Sequence, residues 1–227
     1  SYSIPLLMTL FFTTCSLPST MACVALCGVF LNCGDAFAHA LFYDSVGPVQ
    51  VTWGDVTNRV AKLKINGDKL KSKHAPYYAD VRTVWNNSPR VSAIHTNFSS
   101  ANVYLATATE AYWEQRFKFP NNKDVLGVTD SISTDNVNLG NAAIARISSR
   151  KIRTSNIFYS PLFEYYYNDT TNVKLVMVHE IGHALGLGHP DDRYAITNVK
   201  SVMGSVLYGD YYTLQSHDNN DLNHMYK

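Results

Sequence analysis

HEIGHALGLGHPD, His179 to Asp191, sets three histidines in the order HExxHxxGxxH, with a glutamate beside the first. On a helix, His179 and His183 stand four residues apart and project from one face, where two imidazoles can share one metal ion. Gly186, three residues further on, is where the helix can end in a left-handed turn that glycine enters at little cost. Such a turn brings His189 back as a third ligand. Three protein ligands leave a tetrahedral zinc one open position, which marks a catalytic rather than a structural site. Glu180 is not needed as a ligand and can serve as general base toward a water on the metal. The competing reading, three surface histidines at a helix end, leaves the register of the glycine and the third histidine to chance.

A methionine follows in Ser201–Ser205 (SVMGS), with Met203 fourteen residues after His189. The joint pattern resembles the metzincin zinc endopeptidases, whose motif continues to a methionine-containing turn, the Met-turn, under the metal. The last residues, ending Met225-Tyr226, look like the final helix of matrixins. Pro190 after the third histidine looks more like serralysins. The balance leans to a matrixin-like member of the M10 peptidase type.

Composition sets the frame for that motif. With 227 residues, 46% hydrophobic and 16% charged, the chain can bury one ordinary core and is not of the disordered class. A net charge of +1 gives no reason to expect nucleic acid or an anionic membrane as partner. The 15 tyrosines fit either a peptide-binding cleft or a plain amphipathic surface.

All four cysteines, Cys15, Cys23, Cys27 and Cys33, fall ahead of the first charged residue, Asp35. The apolar runs Ile4–Phe12 and Met21–Leu31 and the small residues around Ala36, Ala38 and Ala40 read as a targeting segment with an A-x-A cleavage site. Residues 1–40 are therefore expected to be a signal peptide or N-terminal hydrophobic targeting segment, and 41–227 the catalytic domain. The mature chain would begin at His39 or Leu41, carry no cysteine, and be secreted. An uncleaved anchor is the alternative, and only then is a membrane a partner. Against it, neither apolar run reaches the roughly 18–20 residues a spanning helix needs. A lipid-modified cysteine is a third reading, which the residues before Cys27 and Cys33 fit poorly.

Arg59–Ile65 (RVAKLKI) alternates apolar and basic residues as a half-buried strand does, with Asn66-Gly67 as a turn signal behind it. Ala75–Asn87 has helical spacing of Tyr77, Val81, Val84 and Trp85, with Pro76 at a first-turn position. Strands are expected at Arg90–Phe98, Asn102–Ala108, Asp124–Ile132 and Asn141–Ser148. The motif helix is expected over Thr171–Leu187, capped from among Asn168, Asp169, Thr170 and Thr171, and a closing helix over Asp218–Tyr226.

This order matches a metzincin catalytic domain from about Val51 to Lys227. The resemblance implies an α+β fold: a twisted, mostly parallel five-stranded sheet with an antiparallel edge strand, an active-site helix, a Met-turn and a C-terminal helix. It implies one catalytic zinc on His179, His183 and His189. Glu180 would be general base for hydrolysis of internal peptide bonds, and Met203 would pack beneath the metal. Protein or peptide substrates would lie extended along the edge strand Leu126–Ile132, touching Gly127, Val128 and Thr129. Val206–Tyr212, with Tyr208, would line the pocket for the residue after the cut. The chain is expected to act as a monomer. Departures exist. Ser205 stands where some metzincins place a tyrosine two residues past the methionine. His74, His95, His217 and His224 form no obvious second zinc cluster. Asp124, Asp130 and Asp135 could hold calcium or form a solvated acidic loop. Asp191 and Asp192 could orient the third ligand or lie in a plain exposed turn. Two rivals remain: a zinc-containing peptide-binding protein, against which the intact Glu180 argues, and an exopeptidase.

Overall fold

Lysine alternates with apolar residues along RVAKLKI, and in the computed structural model this run lies within β3 (Val60–Lys69), with Ala61, Leu63 and Ile65 in the core. The structure describes residues 51–71, 73–117, 125–139, 150–161, 170–189, 200–204 and 212–227. All of these belong to one compact unit, residues 35–227.

Five strands carry the sheet in the order β4 (Val91–His95), β3, β5 (Val103–Thr107), β7 (Arg150–Tyr159), β6 (Gly127–Ser133). All are parallel except β6, which runs antiparallel to β7. Two short strands complete it: β1 (Val51–Trp53), parallel to β7, and β2 (Val56–Thr57), antiparallel to β3. Four α-helices are described: α1 (Tyr78–Asn86), α2 (Glu110–Phe117), α3 (Thr170–Ala184) and α4 (Ser216–Met225). This is the mixed architecture expected of a metzincin catalytic domain.

Several boundaries differ from the sequence reading, each for a physical reason. Asn66-Gly67 does not close a turn; β3 runs on to Lys69 with a register shift against β5. Pairing with β5 at Asn66 and Lys69 holds the chain extended beyond the last pair with β4 at Ile65, and the buried Asn66 amide donates to Thr96 O and Asp68 Oδ2. The sequence reading missed β7, the strand between β5 and β6, because RKIRTSNIFY puts so many polar residues among its apolar ones. The strand expected at 141–148 lies outside the described residues. The reading also missed α2, whose only fully buried side chain is Trp113; Thr109 caps it by accepting from Tyr112 N.

Helix α3 is the most enclosed of the described helices. From Leu175 through Gly182 every residue is buried, the pattern of a helix enclosed on all sides. It packs on β6, β7 and α1. Trp85 of α1 is fully buried and donates through Nε1 to Val178 O at 3.2 Å, and Tyr159 of β7 donates to Met177 O at 3.4 Å.

Candidate active site

Helix α3 ends in a pair of bonds characteristic of a glycine-closed terminus. Gly186 N donates to His183 O at 2.9 Å and Leu187 N to Gly182 O at 3.0 Å, with Gly186 at φ +94°. A Cβ at Gly186 would strike Val51 O of β1, so both the conformation and the space require glycine. The reversal carries His189 back over the helix face that bears His179 and His183.

The three Nε2 atoms converge. They lie 3.0 Å (His179–His183), 3.0 Å (His179–His189) and 3.1 Å (His183–His189) apart. The other ring nitrogens say which atoms carry hydrogen. His179 Nδ1 faces Val202 O at 2.9 Å and His183 Nδ1 faces Leu187 O at 2.8 Å. A carbonyl oxygen only accepts, so each Nδ1 donates and each Nε2 presents a lone pair. Two lone pairs 3.0 Å apart repel unless a cation lies between them. For a tetrahedral zinc with bonds of about 2.0–2.1 Å, ligand nitrogens sit about 3.3 Å apart, close to this triangle. The donor set therefore fits zinc. Among the described residues it is the one group of three or more metal-ligating side chains drawn together. Burial, then His179 and His189, depresses the His183 pKa well below the ordinary range, which keeps its ring neutral and able to ligate.

Glu180 is buried beside this triangle. Its carboxylate Oε2 accepts from Thr129 Oγ1 at 2.7 Å, and the same hydroxyl stands 2.9 Å from Glu180 O. Burial raises the carboxyl to about 7, against the Thr129 bond that favours the charged form. A cation at the histidines would pull it back down. Gly127 makes the space for Glu180: a Cβ there would lie 2.6 Å from both Cγ and Oε1 of Glu180.

Below the helix, Met203 is fully buried with Sδ against Gly182, which lies between the first two histidines in sequence; a Cβ on Gly182 would overlap that sulfur. The turn bearing Met203 is tied down by a residue the sequence reading passed over. Asp218 Oδ1 accepts from Ser201 Oγ at 2.6 Å, and Oδ2 accepts from Gln215 N at 2.7 Å and Val202 N at 3.3 Å. Val202 in turn offers its carbonyl to His179, so Asp218 holds a metal-site hydrogen bond from one peptide away. Its only trace in the sequence is an acid in the first turn of a helix, since glutamine is an unusual cap. Tyr226, at the end of α4, donates to Leu185 O at 2.7 Å and accepts from Trp53 N at 3.1 Å, joining β1 to the end of α3.

A sequence profile of the matrixin family of M10 peptidases matches residues 63–227, well over half of the chain. The chain belongs to the matrixin family. That makes it a zinc metalloprotease by family, and the histidine triangle is where such a matrixin can hold its ion. No curated protein matches the chain.

Of the other residues singled out in this matrixin, Gly127, Val128 and Thr129 lie in β6, with Thr129 turned inward to Glu180. Tyr208, Pro190, Asp191, Asp192, Asp124 and Ser205 lie outside the described residues. Of the calcium candidates, Asp130 takes both ends of the Arg116 guanidinium, at 2.5 and 2.6 Å, and Asp135 pairs with Arg150. His74 is a core histidine, stacked on Tyr159 and bonded to Thr107 Oγ1. His95 meets the Tyr78 hydroxyl at 3.0 Å.

Proposed function

We propose that this matrixin is an endopeptidase in which His179, His183 and His189 hold zinc through Nε2 and Glu180 is the general base. The observation that carries the reading is the convergence of three histidine Nε2 atoms at the helix that also bears the buried Glu180 carboxylate. A zinc ion bound there supplies Lewis acidity, making a water acidic near neutral pH and polarising a carbonyl oxygen. Glu180 takes the proton of the attacking water and returns it to the leaving amine nitrogen, so no covalent enzyme intermediate is needed. The Nδ1–H bonds of His179 and His183 keep both rings in the tautomer that ligation requires.

The substrate binds extended along the outer edge of β6. Among the described residues, Gly127–Asp130 pair with no strand other than β7. Further along β6 the edge is occupied, by Leu139 N on Ser131 O and by Val137 O on Ser133 N. A peptide strand added at the free half lies next to Glu180 by way of Gly127 and Thr129. Protein substrates, a monomeric state and secretion after cleavage near residue 40 complete the proposal; N-terminal sequencing of chain recovered from culture medium tests the last.

An internal peptide blocked at both ends separates the readings. Zinc-dependent cleavage of that peptide is expected. Cleavage only of peptides with a free terminus would make the chain an exopeptidase, and tight peptide binding without cleavage would make it a binding protein.

A further inference from the structure

The side chains on the inward face of β6 are polar: Thr129, Ser131 and Ser133 are all buried, on a strand whose alternation turns every second residue toward α3. Ser131 has its partner across the sheet, Ser155 Oγ at 2.7 Å, and Ser133 bonds within the turn that follows. Thr129 alone of the three reaches across to α3, and what it reaches is Glu180. Its hydroxyl has one hydrogen and two acceptors, Oε2 at 2.7 Å and the main-chain oxygen at 2.9 Å. An ionised carboxylate is the stronger acceptor, so the hydrogen goes to Oε2.

We propose that Thr129 is the positioning residue for the Glu180 carboxylate: its hydroxyl holds Oε2 against β6, and this fixes which oxygen, Oε1, is left to exchange the proton with the water and the leaving amine. The inference rests on Glu180 being the base. Gly127 supports it from the same strand, since its bare Cα is what Cγ and Oε1 of Glu180 lie against. The two residues thus act on one side chain from alternate positions of β6, one by a bond and one by leaving room. The β-branched side chain of threonine is stiff about χ1, so its hydroxyl is aimed by the backbone rather than free to swing away. The hydroxyl also has an arrangement for either state of the base. A proton taken up on Oε1 leaves Oε2 an acceptor, so the Oγ1–H bond to Oε2 persists and the carboxyl keeps its place through the cycle.

The test compares Thr129→Val, which keeps the shape and loses the hydroxyl, with Thr129→Ala and Thr129→Ser, all zinc-loaded, on an internal peptide. Misplacing a reacting group by about 1 Å can cost about a hundredfold. Expected is a fall in kcat of about ten- to a hundredfold in Val and Ala, with KM within about twofold, one zinc per chain and an unchanged melting temperature. Thr129→Ser is expected to recover kcat to within about threefold, because serine keeps the donor and loses only the stiffness. Wild-type kcat in Val and Ala would overturn the proposal. So would a loss in Ser equal to that in Val, or losses that track melting temperature. Crystal structures of wild type and Thr129→Val decide the positional claim without activity: a Glu180 carboxylate that stays in place in the variant overturns it. A wild-type chain that cleaves nothing, and is matched by Glu180→Gln, instead removes the endopeptidase reading.

Discussion

Glu180 and Gly127 are a matched pair in which one residue's size sets the other's position. A methyl group at residue 127 would come within 2.6 Å of Glu180 Cγ and Oε1. The carboxylate, not the strand, is the part free to give way. Gly127→Ala is therefore expected to lower peptide hydrolysis by about tenfold or more while zinc content stays at one per chain. Undiminished turnover would show that the side chain has room elsewhere. At this scale the sequence was generous: HExxHxxGxxH names the three histidines that meet, the buried Glu180 and the glycine turn, because helical geometry fixes where residues four apart must point. It could not show that Gly127 and Thr129 meet Glu180, since that contact joins residues far apart in the chain through tertiary packing.

Among the elements, the turn carrying Met203 depends on α4. Asp218 gathers Ser201 Oγ, Val202 N and Gln215 N on one carboxylate, and Val202 O then receives His179 Nδ1. Asp218→Ala strands three buried or half-buried donors, at a cost of about 2 kcal/mol or more. It also loosens the bond that orients a metal-site imidazole, for which about a tenfold loss of zinc affinity is expected. Thermal unfolding and competition with a chelator measure the two effects; stability lost with zinc affinity intact would mean that α4 supports the fold but not the metal site. Helix α1 and strands β3, β4 and β5 were legible because their apolar residues recur with the period of the element, and α3 because it carries the histidine motif; β6 and α4 bury polar residues such as Thr129, Ser131, Asp218 and Asp221 and gave less period to read. Strand β7 was not. Held between neighbours on both edges, it needs few apolar residues to stay extended, so its polar sequence gives little period to read.

For the whole molecule, the core beside α4 stores a pH dependence. Burial, and then the neighbouring Asp218 charge, push Asp221 up to about 8, whereas an unfolded aspartate titrates near about 3.9. Asp218 is raised by burial too, but its three donors hold it down, so Asp221 takes the proton. Between about pH 4 and 8 the folded chain thus keeps a proton that the unfolded chain has released. This contribution is largest at the acid end and is lost as pH rises through the folded value. The zinc-loaded protein is expected to lose melting temperature between about pH 6.5 and 8.5, and Asp221→Asn to flatten that loss. Parallel curves would place the titration elsewhere. Helix α3 packs on β6, β7 and α1, which is why a single helix can present the three histidines on one face and set Glu180 against β6. The most direct test of that account is zinc-loaded wild type against Glu180→Gln on an unstructured protein such as casein, with zinc per chain measured for both. The account predicts internal cuts by the wild type and none by the variant, with one zinc in each. Near-normal cleavage by the zinc-loaded variant would contradict it.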